Sequence, residues 1–333
     1  MTTPRRMLAR AAATGFVGSG AAEALRRLRR RRGDHRVFLL EYHDVGPDDA
    51  PAEEGVVPAS RFRAHMRWLR RHFRVVSLSE AVAVLTSAGQ LREDLVVVTF
   101  DDGYAGTFEH AWPVLREEDV PAVVFLTTGF LDGKPLWFDV ARRCLRAAAR
   151  VGAEPWTVMR EYGVEGVPVP RDLVAWMKRL PTGRRRALLA DLEARWPAPP
   201  PARRPLAWDE VRTMLGGRLE IGGHTVTHPI LSASSEREQR REIERSRARI
   251  AERTGVAPFF FAYPNGAADD FDERTVRCVR DAGYLAACTT VRGSNRKGCD
   301  PFRLRRIGVG DEPALVLAAR LGGLTAPAVG GAA

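Results

Sequence analysis

One stretch constrains the fold of this chain more than any other: Val96-Val97-Val98-Thr99-Phe100-Asp101-Asp102-Gly103. Its first five residues are uncharged and β-branched or aromatic, which predicts a strand buried on both faces. The strand runs straight into two adjacent carboxylates. Burying two such charges unpaired is costly, so something cationic must sit beside them, and a metal ion is the obvious candidate. The local alternative is that Asp101 or Asp102 caps the following helix by accepting its first amide hydrogens.

Strand-like and helix-like segments alternate on both sides of this stretch. Residues 37–43 read as a first strand and residues 59–73 as a helix with Phe62, Met66, Leu69 and Phe73 on one face. Residues 74–78 read as a short strand, and residues 80–87 as a helix capped by Ser79. After the central strand come a helix over 107–118 and a strand over 121–127. Such alternation implies parallel strands with right-handed crossovers. Residues 132–207 break the rhythm with three helical patterns and the run Pro197-Ala198-Pro199-Pro200-Pro201, which predicts an inserted helical subdomain or lid. Trp137, Trp156, Trp176 and Trp196 lie in it, and most are expected to pack its own core.

The alternation resumes with strands at 219–222, 259–263, 284–289 and 304–309 between helices at 235–254, 272–282 and 314–321. About seven or eight β/α units predict a distorted (β/α) barrel over 37–322, with chemistry at the carboxyl ends of its strands. Residues 323–333 read as a fraying tail.

The net charge of +11 is uneven. Residues 1–36 hold ten arginines against Glu23 and Asp34, a net +8. Phe16 is the one aromatic residue of this basic arm, so nucleic acid is not the expected partner. The pattern suits an anionic membrane surface touched peripherally, or an acidic polymer. Cys144, Cys278, Cys288 and Cys299 form no Cys-x-x-Cys pair, so neither a zinc ribbon nor a redox pair is indicated. No run of eighteen apolar residues exists, so no spanning helix is expected. A cytoplasmic, membrane-peripheral location is the expectation. Arg5-Arg6, ahead of the Gly- and Ala-rich stretch 11–25, leaves secretion open.

A second motif lies far downstream: Gly222-Gly223-His224-Thr225-Val226-Thr227-His228-Pro229. Pro229 disfavours helix at His228, so two imidazoles stand on a turn or loop. No Glu follows the first His, as a zinc protease helix would require. Two histidines and one carboxylate are a frequent catalytic metal set that leaves positions open. One of the paired aspartates can complete it. The other can stay ionised beside the cation and act as general base.

Residues 99–103 and 224–229 resemble the hallmark motifs of the polysaccharide deacetylase family, carbohydrate esterase family four. The resemblance covers most of 37–310 outside the insert. It implies Asp101 as catalytic base, and Asp102, His224 and His228 as ligands of one divalent metal. Zinc is the default ion, and nickel, cobalt or iron suit the same ligands. Ala262-Tyr263-Pro264-Asn265-Gly266 stands for the family's third motif, with the Asn265 amide holding the oxyanion and Tyr263 and Tyr104 beside the substrate.

Two departures matter. Ala262 replaces the arginine that steadies the base, and Arg306 is expected to supply that charge from the last strand. No histidine follows His228, so His43 is expected to be the general acid, as in family members of the biofilm-polysaccharide type. His35, His65 and His72 are placed on surfaces and His110 is read as structural. The implied activity is metal-dependent removal of an N-acetyl group from an amino sugar. The rivals are a same-fold amidohydrolase acting on a cyclic imide or non-sugar N-acyl metabolite, and a catalytically silent sugar-binding module.

Overall fold

The computed structural model describes residues 20–51, 53–162, 176–197 and 203–323, together with Gly15, Val174 and Pro201. Most of the arm before residue 20, the start of the helical pattern at 172–180 (172, 173 and 175) and the tail from 324 lie outside the described residues.

Ten strands occur among them: β1 (Val37–Tyr42), β2 (Asp44–Gly46), β3 (Val56–Pro58), β4 (Arg74–Val75), β5 (Leu95–Phe100), β6 (Ala122–Leu126), β7 (Leu219–Gly223), β8 (Phe260–Ala262), β9 (Ala286–Arg292) and β10 (Leu304–Gly308). Every named pairing is parallel, and β1 pairs with both β10 and β5, so seven strands close into a barrel. The two-residue β4 lies beside Leu95 and Val96 at the start of β5, below the point where β6 takes over from Val98.

The strands alternate inward and outward residues, as a pleat requires. Val37, Leu39, Val97, Val123, Phe125 and Leu304 fill the barrel. Phe38, Leu40, Tyr42, Val96, Val98 and Phe100 face the surrounding helices. The helix Leu78–Thr86 adds Leu78, Ala81 and Leu85 to the inner cluster, stoppering the amino-terminal end.

Several local expectations shift. The Arg74 strand is two residues long, and the next helix starts at Leu78. Its cap is Ser77, not Ser79: Ser77 is extended, and its hydroxyl accepts the Glu80 amide hydrogen at 3.1 Å. The expected helix 107–118 opens with a π-helical turn over Thr107–Ala111 before Trp112–Glu117. His65 is not on the surface. It is fully buried on the core face of Ala59–His72, between the Tyr42 hydroxyl at 3.1 Å and the Glu312 carbonyl at 2.7 Å.

Between β6 and β7, the helices Trp137–Arg150, Trp156–Glu161 and Thr182–Arg195 share a core of Val140, Cys144, Leu145, Val158, Leu188 and Leu192. Trp137 is buried in it, and Trp176 and Trp196 pack against it. The half-buried Arg203 ties this segment down. Its guanidinium lies 4.0 Å from the Tyr104 ring centroid and within 3.7 Å of Asp44, Glu53 and Asp139.

Candidate active site

Three strand ends converge at the carboxyl end of the barrel. β5 delivers Asp101 and Asp102, β7 delivers His224, and β1 delivers His43. Asp102 adopts φ 72°, a left-handed conformation uncommon outside glycine. Thr225, His228 and Asn265 do the same at φ 66°, 54° and 59°. Such residues persist only where their surroundings hold them, and they gather at functional sites.

The surroundings are visible. In the loop after β7, the Thr225 hydroxyl accepts from the His228 amide at 3.0 Å. Glu242, on the long helix Glu236–Thr254, accepts from the amides of Val226 and Thr227 at 2.8 Å each and from the Thr227 hydroxyl at 2.9 Å. From the other side, the amides of Thr128 and Gly129 donate to the carbonyls of Thr225 and Val226. Gly129 has no room for a side chain, because a Cβ would strike the Val226 carbonyl.

Asp102 Oδ1 stands 3.6 Å from His224 Nε2 and 3.3 Å from His228 Nε2. All three residues are buried, and Asp102 Oδ1 has no hydrogen-bond partner. That orphan oxygen settles the capping alternative against Asp102. His224 Nδ1 lies 2.7 Å from the Ala262 carbonyl, so it carries the proton and leaves the Nε2 lone pair facing Asp102. Three donors around a tetrahedral ion at about 2.0–2.2 Å stand roughly 3.4 Å apart, which matches this spacing. Burial pushes the Asp102 carboxyl up to about 7 and His224 down to about 4. A cation among them would reverse the penalty on the carboxylate. The donor set therefore fits a divalent metal.

Asp101 has a different partner. Arg306, fully buried on β10, grips both its oxygens at 2.7 Å. The same guanidinium donates to the Thr289 carbonyl at 2.8 Å and the Thr99 hydroxyl at 3.2 Å. Burial alone would raise the Asp101 carboxyl. Arg306 and His224 outweigh it and hold the group down to about 2.

His43 is a third exposed at its side chain, and its Nε2 lies 4.0 Å from Glu41 Oε1. One ligating atom each of Glu41, His43 and Asp101 falls within 4.8 Å of the others. Glu41 also sits 3.5 Å from Arg306 Nη2, and burial raises its carboxyl to about 7.

Asp101, Asp102, His224, His228, His43 and Arg306 thus meet at one end of the barrel. Asn265 follows β8 at the same end, its carbonyl accepting from the Thr290 hydroxyl at 2.6 Å. The two tyrosines are committed elsewhere. The buried Tyr104 donates its hydroxyl to Asp139 at 2.7 Å, and the buried Tyr263 donates to the Phe302 carbonyl at 3.0 Å. The helical segment supplies a wall instead. Phe138 meets the His228 ring edge-on at 5.1 Å, and Trp137 Nε1 donates to the His228 carbonyl at 2.9 Å.

Sequence reading missed Glu41 and Glu242. Glu41 had a signal: a charge two residues before His43, continuing the inward series Val37, Leu39. Glu242 had none, being one of several glutamates in an arginine-rich helix.

A closed parallel barrel with a carboxylate–histidine triad at its carboxyl end and a clamped second aspartate beside it defines the class of this protein. A family model described as polysaccharide deacetylase matches residues 88–287, and the chain belongs to that family. It is 33% identical over 89 residues to a putative polysaccharide deacetylase, YxkH, of Bacillus subtilis, covering 26% of this chain and 30% of that protein. It is 30% identical over 112 residues to the poly-β-1,6-N-acetyl-D-glucosamine N-deacetylase of Escherichia coli K12, covering 33% of this chain and 16% of that one. These matches span less than a third of either relative's length. Among solved structures, IcaB from Ammonifex degensii aligns at TM-score 0.59 and 21% identity over 86% of this chain and 97% of that one. The Streptococcus pyogenes deacetylase PplD aligns at 0.58 and 17% over 85% and 96%. Both show the shared fold. Among the described residues, no helix is long and apolar enough to cross a membrane.

Proposed function

We propose that this protein hydrolyses the N-acetyl group of an amino sugar within an N-acetylated carbohydrate, releasing acetate and leaving a free amine. The observation that carries the reading is the orphan Asp102 Oδ1 facing two imidazole Nε2 atoms, with an ionised Asp101 alongside. Family membership and the relative named for poly-N-acetylglucosamine support the substrate class.

Asp102, His224 and His228 would hold one divalent ion, zinc by default. When bound, such an ion supplies Lewis acidity to the acetyl oxygen and to water. Asp101 takes the proton of the attacking water, and Arg306 fixes the orientation and charge of that carboxylate. The Asn265 amide faces the developing oxyanion. His43 gives its proton to the nitrogen as the carbon–nitrogen bond breaks. The basic arm 1–36 belongs to the same proposal as a peripheral contact with an anionic membrane.

The test is acetate release from N-acetylglucosamine oligomers, with and without chelator, against small cyclic imides. Acetate from the oligomers, lost on chelation and restored by zinc, is expected. Turnover of imides alone, or oligomer binding without acetate, would overturn the reading in favour of its rivals.

A further inference from the structure

The helix Ala21–Arg31 is amphipathic in the wrong sense for a helix that merely covers a barrel. Its buried side is basic. Arg26 is only 6% exposed, donates to the His72 carbonyl at 3.1 Å and lies 4.4 Å over the Phe73 ring. Arg30 pairs with the buried Asp94 at 3.6 Å. Its apolar side looks outward: Leu25 and Leu28, three residues apart on one face, are 39% and 46% exposed. Arg27, Arg31 and Arg32 stand exposed around them.

Beneath the helix lies a cavity of about 490 Å³ lined by Arg26, Arg27, Arg30 and Arg71, with Glu23 the carboxylate among its described lining residues. Arg26 Nε and Arg30 Nε are buried without a hydrogen-bond partner. Glu23 pairs with Arg27 at 3.2 Å and Arg26 at 3.6 Å, and Asp94 with Arg30, so four guanidiniums share two carboxylates and the remaining positive charge suits a phosphate-bearing anion. The helix touches residues that precede β4 and β5, so it lies toward the amino-terminal end of the barrel, away from the catalytic mouth. Phe259 and Leu285 stand 52% and 56% exposed just before β8 and β9, at that same end.

We propose that this end of the molecule is a docking surface for an anionic lipid bilayer. Leu25 and Leu28 enter the headgroup–acyl boundary, and the arginine cavity takes a lipid phosphate. The inference rests on the reading of the basic arm as membrane-facing, and it names the element and pocket that make the contact. The catalytic mouth then faces away from the bilayer.

The test is sedimentation of the full chain with phosphatidylcholine vesicles, with and without phosphatidylglycerol. Binding to the phosphatidylglycerol vesicles is expected, falling at least about tenfold in Leu25→Asp/Leu28→Asp and also in Arg30→Gln/Arg71→Gln. Acetate release from soluble oligomers should be unchanged in both variants, showing that the barrel is folded. Binding that survives both variants but is lost in Arg5→Gln/Arg6→Gln/Arg10→Gln overturns this inference and leaves the arm reading standing. No binding by the intact chain overturns both. Inorganic phosphate raising the melting temperature without vesicle binding would assign the cavity to a free anion, and a dimer split by the leucine variant would assign the face to a second copy. Either result overturns the proposal.

Discussion

Arg306 decides the state of Asp101. A buried carboxylate would ordinarily hold its proton; the guanidinium gripping both oxygens removes it. Arg306→Ala leaves Asp101 and Glu41 buried without their cation, so a loss of about 3–5 kcal/mol in stability is expected, together with near-complete loss of turnover. Arg306→Lys keeps a charge but not the fork. It should fold, and the acid limb of its kcat/KM profile should move to higher pH as Asp101 becomes easier to protonate. An unchanged profile in the lysine variant would remove Arg306 from the catalytic argument.

Asp44 gives the opposite sign. Burial is the main cause of its rise to about 7, only partly offset by Arg203 3.7 Å away. The unfolded chain loses this proton near pH 3.8 and the folded chain near 7. Stability therefore falls as pH rises through that window. Asp44→Asn, which still accepts from the Val45 amide, should gain melting temperature relative to the parent between pH 4 and pH 7 and be level below it. Paired thermal melts across that range check the sign.

The same residue scale shows what the sequence makes legible. Arg306 could be expected because an arginine was missing from residues 262–266 and a charge stood in a late strand. Glu41 escaped because its neighbours Leu39, Leu40 and Tyr42 make the segment read as plain core. His43 is close in sequence, but only the barrel's closure of β1 against β10 brings Glu41 to Arg306.

At the scale of elements, the loop after β7 owes its shape to distant backbone partners. Its strained φ values at Thr225 and His228 are held by Glu242 on one side and by Thr128 and Gly129 on the other. Glu242→Ala removes three hydrogen bonds while touching neither a ligand nor the barrel core. Metal affinity should fall by roughly 10–100-fold with the fold intact, measured by competition with a zinc chromophore. Unaltered affinity would mean that the loop holds itself. The motif's composition announces two histidines near a turn, but their convergence depends on this clamp. Hydrogen bonds from residues 15 or 100 positions away carry no local pattern. The Ser77 cap is a subtler case. Both Ser77 and Ser79 suit the role, and which one leads the helix depends on where Val76 leaves the barrel wall.

Across the whole molecule, strand–helix alternation is strong enough to imply the barrel, since parallel strands with helical crossovers have few ways to hide both faces. The segment between β6 and β7 is legible as an inserted subdomain or lid, but how it seats on the barrel is not. Its helical patterns show where a core forms, but its seating over the site rests on Trp137, Phe138, Tyr104 and Arg203, side chains that also suit plain packing. The consequence is a candidate metal site with Trp137 and Phe138 of this segment against His228, so loading the triad should stabilise the molecule as a whole. An ion bound only by the folded state adds about 2.7 kcal/mol at a hundred times its dissociation constant. For a chain of this size that is several degrees of melting temperature. Zinc should raise the transition of the chelator-stripped protein by that amount, and Glu41→Gln, which leaves the three donors in place, should keep the increment. His228→Ala should lose it. Scanning calorimetry of the three proteins with and without zinc decides the matter: an increment that survives His228→Ala would mean the ion stabilises the chain from some other site, and the triad would no longer be the metal centre.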